Sequence, residues 1–155
     1  MSRRSLVAAL VFGLVVAACS SGSGAGLSAA SSAGAAHAVS VTGAWARPAP
    51  AGGSTAVYLT LANGGSSPDA LVSASSPTGS VELHETSTDM NGMTGMSPVE
   101  RIELPAGATV ALDPGGKHLM VTGLTTALDA GGSIDVELVF EHAGPVHVAA
   151  EVRTP

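Results

Sequence analysis

Two histidines and two methionines are spaced in this chain so that their side chains could share one metal ion. They follow the pattern His84-x11-Met96-x21-His118-x-Met120. Thioether sulfur is a soft, uncharged donor and imidazole is a borderline one, so this combination selects Cu(I) over zinc, calcium or magnesium. The residue types therefore predict a site for cuprous copper with these four side chains as ligands.

Two further methionines, Met90 and Met93, lie between the first histidine and Met96. They could form an auxiliary patch that captures copper. Methionine is also a common and adaptable apolar residue, so they could equally be incidental members of a mobile loop. The sequence leaves these two interpretations open.

The N-terminus predicts export. Arg3 and Arg4 precede an apolar run over residues 6–18, which is too short to span a bilayer but has the size of the hydrophobic region of a secretory signal. The run ends in Val16-Ala17-Ala18-Cys19, which resembles the lipobox of bacterial lipoproteins. We expect residues 1–18 to be a lipoprotein signal peptide and Cys19 to be lipidated, anchoring the protein on the outer face of the bacterial cell membrane.

Lipidation would consume the only cysteine of the chain. A blue-copper electron carrier requires a cysteine thiolate beside two histidines, and a Cys-x-x-Cys copper shuttle requires two thiolates. Neither kind of site can be built from the remaining residues. Methionine and histidine also keep their binding form in an oxidising, exported compartment, where thiols are drawn into disulfides.

Composition divides the rest of the chain into a tether and one domain. Residues 19–37 are almost entirely Ser, Gly and Ala, a composition typical of a flexible linker. Residues 38–155 have the length of one domain.

Removal of the signal leaves four basic residues against twelve acidic ones, a formal net charge of −8. Nucleic acid is therefore not an expected partner.

The domain is predicted to be all-β, as an antiparallel sandwich or barrel. Short segments rich in Val, Leu and Thr are separated by Gly- and Pro-containing turns, and residues 57–61 and 134–140 alternate apolar and polar side chains. The predicted strands cover residues 39–46, 56–62, 71–74, 81–85, 99–104, 109–112, 118–122, 133–141 and 146–152.

The two-residue period of a strand also orients the candidate ligands. Val81 and Leu83 would share the core face, so His84 is expected on the opposite face. His118 and Met120 would project to one side of their strand, about 6.6 Å apart along the backbone. Met96 is expected on the loop after the first of these strands. These positions predict a shallow site near the surface.

These residues resemble the motif of the PCu(A)C copper chaperones, which is similar to His-x10-Met-x21-His-x-Met. One departure is the spacing between His84 and Met96, which is eleven residues here; the Gly-containing loop could absorb the extra residue, but Met93 could also replace Met96. Trp45 lies on the first predicted strand and Arg47 directly follows it; we expect both to pack and pin that strand. The resemblance covers nearly the whole domain, through residues 43–47, 81–85, 96–99 and 114–120.

The resemblance implies a cupredoxin-like fold and a non-enzymatic role. A protein of this kind would bind one Cu(I) ion and deliver it to a copper enzyme, expected to be the dinuclear copper centre in subunit II of cytochrome c oxidase, or to another copper acceptor or assembly protein. Two alternatives remain from the sequence. The domain could be a tethered β-sandwich binding module without metal, or it could serve general copper sequestration or resistance.

Overall fold

The computed structural model describes residues 38–155, and the regular elements in this range are ten β-strands. The predictions for the signal peptide, Cys19 and the tether therefore lie outside the described residues. Within the described range, no helix has the length and apolar character needed to cross a membrane. The strands are β1 Val39–Ala46, β2 Ser54–Asn63, β3 Asp69–Ser75, β4 Ser80–Thr88, β5 Thr94–Pro98, β6 Ile102–Leu104, β7 Thr109–Leu112, β8 Lys117–Thr122, β9 Ser133–Phe140 and β10 Gly144–Val152.

Alternating burial explains why the apolar segments form strands in a fixed register. On β2, Val57, Leu59 and Leu61 are buried, and on β9 every second residue from Ile134 to Phe140 is buried as well. Each such side chain contributes about 1.5–3 kcal/mol when it leaves water. A register slip of one residue would turn the whole set towards solvent, so the core fixes which residues face outward.

The strands form one hydrogen-bonded sheet in the order β5-β4-β8-β2-β1-β10-β9-β3-β6, with β7 pairing to β2. Strands β3 and β4 stand far apart in this order but contact each other, so the sheet curves around the core. All pairs are antiparallel except β1 with β10, which is parallel. The antiparallel prediction is therefore wrong for this one pair, which joins the first and last strands of the domain.

The structure has a strand where the sequence predicts a loop. Residues 94–98 form β5, which pairs antiparallel with β4 at the edge of the sheet. The segment Thr94-Gly95-Met96-Ser97-Pro98 lacks apolar alternation because it is exposed along its whole length. Its strand conformation comes from hairpin pairing with β4, which residue propensity does not reveal.

A buried carboxylate ties the start of β3 to the β9–β10 turn. Asp69 is 2% exposed and accepts hydrogen bonds from the backbone N–H groups of Ala70 at 2.8 Å, His142 at 3.0 Å and Ala143 at 2.9 Å. Burial raises the pKa of this carboxyl, but the three backbone donors outweigh burial and hold the pKa below its usual value. The ionised form is therefore favoured by the fold.

Asp69→Asn should destabilise the fold by about 1–3 kcal/mol at neutral pH, because an amide cannot accept all three N–H donors. Since the folded pKa is lowered, the stabilising effect of Asp69 is complete above the unfolded pKa, about 3.9, and is lost as pH falls through the folded pKa. Urea unfolding at pH 7 and at about pH 3 measures both effects. Asp135→Asn, at an exposed position of β9, is the control. Equal stability of the two variants at pH 7 would contradict the role given to Asp69.

Candidate metal centre

The register between β4 and β8 places the two candidate histidines directly opposite each other. The rings of His84 and His118 have centroids 5.9 Å apart and planes inclined at 51°. Their strand neighbours Leu83 and Leu119 also oppose each other and are buried in the core. Because neighbouring residues alternate between faces, the two imidazoles lie together on the face opposite the core.

Both candidate methionines lie on the same face. Met120 follows His118 by two residues on β8, and Met96 on β5 lies opposite Thr86, which follows His84 by two residues on β4. A surface pocket of about 410 Å³ is lined by Met96, His118 and Met120 together with Thr86. Three of the four sequence-predicted ligands therefore line one pocket. His84 is not among the lining residues, but its ring lies beside that of His118.

The exposure of the four side chains is uneven. His118 is only 3% exposed, whereas Met96 on the edge strand is 57% exposed, and the His84 side chain is mostly buried. The prediction of a shallow site is therefore wrong for the histidines. His118 lies on β8 between β4 and β2, with the rings of His84 and Tyr58 on either side.

In a neutral imidazole, the hydrogen bonds of the ring decide which nitrogen carries the proton. The Nε2–H of His84 donates to the Glu82 carboxylate at 3.1 Å, and the Nδ1–H of His118 donates to the carbonyl of Gly116 at 3.1 Å, because carboxylates and carbonyls only accept. A carboxylate or carbonyl partner of this kind orients many metal-binding histidines. Glu82 and Gly116 therefore fix which nitrogen of each ring is available as a ligand.

The available nitrogen of His84 is a buried polar atom without a partner. Its Nδ1 has no hydrogen bond to any residue in the range 38–155. Burying an unpaired acceptor is costly, and such atoms are rare in folded proteins. A bound metal ion would satisfy this lone pair, so the donor set fits a soft cation. Residues 38–155 contain no group of three or more His, Cys, Asp or Glu side chains suited to a metal ion.

A row of aromatic rings continues from the histidines across the sheet. Tyr58 on β2 lies 6.2 Å from His118, and Trp45 on β1 lies 4.7 Å from Tyr58, measured between ring centroids. Arg47 covers the Tyr58 ring at 5.8 Å and also lines the pocket. The sequence predicts only a packing role for Trp45 and Arg47 and no role at the site for Tyr58. The alternation of β2 places Tyr58 on the outer face, but only the β2–β8 pairing shows that it meets His118.

The two remaining methionines lie away from the pocket. Met90 and Met93 are exposed and belong to the turn between β4 and β5. Asp89 orders this turn, since its carboxylate accepts the backbone N–H groups of Asn91 and Met93, each at 2.9 Å. The segment is therefore a hydrogen-bonded hairpin, and it brings Met96 rather than Met93 to the pocket.

The chain matches a known lipoprotein family. The family model described as "Putative lipoprotein LpqE-like" matches residues 39–152. A protein of Leifsonia xyli subsp. xyli named "Putative lipoprotein Lxx21020" is 37% identical over 119 residues, which cover 76% of this chain and 71% of the relative.

Solved structures share the fold. The copper-bound PCuAC domain from PmoF2 has a TM-score of 0.63 at 27% identity, covering 77% of this chain and 97% of that domain. The CuI form of DR1885 from Deinococcus radiodurans has a TM-score of 0.57 at 34% identity, covering 81% of this chain and 85% of DR1885. The prediction of an all-β, cupredoxin-like fold is confirmed.

The hydrogen bonds predict opposite tautomers for the two imidazoles. At about pH 8, where free imidazole is neutral, His84 should carry its proton on Nε2 and His118 on Nδ1, as read from long-range ¹H–¹⁵N correlation spectra. Glu82→Gln should weaken the preference of His84 alone, because an amide can both donate and accept. Glu85→Gln, next to His84 but bonded to Lys117, is the control. Identical tautomers for both rings would contradict the hydrogen-bond assignment.

Proposed function

Because the chain belongs to the LpqE-like lipoprotein family and carries a PCuAC-type domain, we propose that it is an exported lipoprotein that binds one Cu(I) ion and passes it to a copper protein. The proposed ligands are His84, Met96, His118 and Met120. The observation that carries the proposal is the convergence of the last three on one pocket. The His84 ring lies 5.9 Å from that of His118, and its Nδ1 is buried without a partner among residues 38–155. Relatives solved with copper support the choice of metal.

Copper is the cargo of this site, and the uneven burial of the ligands suits a carrier. The buried histidine and its fixed tautomer preorganise one side of the site. The exposed thioether of Met96 on the edge strand is the ligand that an incoming donor can displace first. Copper would then leave by exchange of one ligand at a time, without an acid, base or nucleophile. This role is that of a binding protein and not of an enzyme.

We propose the dinuclear copper centre in subunit II of cytochrome c oxidase as the destination, with another exported copper acceptor or assembly protein as the alternative. The resemblance to PCu(A)C chaperones supports this choice. General copper sequestration would use the same ligands. The exposed Met96 favours transfer over sequestration, because a storage site gains nothing from an accessible ligand.

A lipid anchor would hold the carrier near such an acceptor. In this proposal residues 1–18 are removed, Cys19 carries the lipid, residues 19–37 form the tether and residues 38–155 form the copper domain. A Gly- and Ser-rich linker of this length has a root-mean-square span of about 25 Å. The site would therefore stay close to the outer face of the cell membrane, within reach of a membrane-bound recipient.

Cu(I) titration against a competing chromophoric chelator tests the ligand set. The parent should bind one equivalent, and Met96→Ala and Met120→Ala should each weaken binding by at least about tenfold, the effect expected of even an indirect ligand contact. Met90→Ala and Met93→Ala remove the same thioether from the hairpin turn and should change the affinity less than about twofold. A loss in Met93→Ala with none in Met96→Ala would reassign the loop ligand. Weak binding by the parent that no variant changes would overturn the proposal.

Complementation of a strain that lacks this protein tests delivery and anchoring together. The parent should restore the copper-dependent oxidase activity and fractionate with membranes. His118→Ala should fractionate with membranes but fail to restore activity, because it removes a proposed copper ligand. Cys19→Ala should leave the membrane fraction, because no lipid can be attached. Full oxidase activity in the deletion strain at limiting copper would argue against the oxidase as recipient.

A further inference from the structure

Two of the four basic residues in the described domain have no acidic partner. Arg101 pairs with Glu103 at 2.7 Å and with Glu141 at 2.6 Å, and Lys117 pairs with a glutamate in the same way. Within residues 38–155, neither Arg47 nor Arg153 has a carboxylate within 4.0 Å. Residues 1–37 contain no Asp or Glu, so they supply no carboxylate either.

Both of these arginines lie over the aromatic row that leads to the metal pocket. The guanidinium carbon of Arg47 is 5.8 Å from the ring centre of Tyr58, and that of Arg153 is 5.0 Å from the ring centre of Trp45. Cation–π contact holds such a side chain in place while its N–H groups can still bind a carboxylate. Arg47 lines the pocket, and Arg153 lies one ring further along the aromatic row. Glu151, opposite Trp45, is on the same face but forms no ion pair with either arginine.

This placement stands out against the charge of the rest of the domain. Twelve acidic residues against four basic ones give it a formal net charge of −8, so the domain as a whole repels a protein that carries carboxylates. A negatively charged partner would be attracted at the face that carries Arg47 and Arg153. Charge complementarity of this kind orients an encounter and raises the association rate more than it raises affinity.

We propose that Arg47 and Arg153 form a cationic docking patch that binds carboxylates on the surface of the copper acceptor. The proposal rests on the copper-carrier function proposed above. Docking there would bring the acceptor to the wall of the pocket that Arg47 shares with Met96 and Met120. The incoming ligand could then meet the exposed thioether of Met96 directly.

An anionic membrane surface is the other partner that two arginines could attract, but the structure favours the protein acceptor. A bilayer on this face would cover the pocket and block the exposed ligand. The net negative charge of the domain would also oppose its approach to an anionic bilayer, and two basic residues are fewer than the clusters of four to eight that bind such membranes.

The docking patch is tested with two synthetic acceptor peptides. Both have the same Met- and His-containing copper-binding core, but one core is flanked by Glu and the other by Gln. Trp45 is the only tryptophan of the chain, so its fluorescence reports binding to the metal-free protein. The Cu(I) transfer rate to each peptide is measured separately by stopped flow. The variants are Arg47→Gln and Arg153→Gln, with Arg101→Gln as the control that removes the same charge from an ion-paired site.

The Glu-flanked peptide should shift Trp45 fluorescence saturably and accept copper about tenfold faster than the Gln-flanked peptide at low salt, with the difference shrinking at high salt. The double variant should lose this preference. Arg101→Gln should keep it, and Arg153→Gln should keep the parent's Cu(I) affinity. If the protein binds no Cu(I), the proposed function fails, and the fluorescence titration still decides whether the patch binds carboxylates.

Three results would overturn the proposal that Arg47 and Arg153 form a docking patch. The first is equal transfer to both peptides, and the second is an equal loss of preference in Arg101→Gln, which would show an effect of net charge alone. The third is a Trp45 response to phosphatidylglycerol vesicles with none to the Glu-flanked peptide, which would assign the two arginines to the membrane.

Discussion

The site depends on one constraint, which is the register between β4 and β8. This register sets His84 opposite His118. The same register sets Leu83 against Leu119 on the core face. A slip of one residue would exchange the two faces, burying the histidines in the core and exposing the leucines. The hydrophobic core therefore stabilises the sheet and holds the two imidazoles in place through one set of backbone pairs, so the site cannot rearrange without a loss of core packing.

The site combines a rigid half with an accessible half. His118 is buried under the aromatic row, and its tautomer is fixed by the Gly116 carbonyl. Met96 belongs to an exposed edge strand with no packed face of its own. Preorganised nitrogen donors lower the cost of binding, while an accessible sulfur donor allows release. The proposed Cu(I) carrier needs both properties, since it must hold its cargo against competitors and still give it up to one partner.

The sequence predicted the all-β fold and most of the strands because burial alternates along them, as at Val57, Leu59 and Leu61. It also placed His118 and Met120 on one face, since their spacing equals the strand period. It failed at β5, whose strand conformation comes from pairing with β4 and not from its own residues. The roles of Tyr58 and Arg47 at the site depend on which strands are neighbours, and strand order is not encoded in local periodicity.

X-ray absorption spectroscopy at the copper edge of the Cu(I)-loaded protein tests the central claim most directly, because it counts the donor atoms around the metal. A site built from His84, Met96, His118 and Met120 predicts two nitrogen and two sulfur neighbours for each copper ion. A copper ion surrounded only by nitrogen or oxygen donors would contradict the account, since the pocket would then be a feature of packing and the methionines would not be ligands.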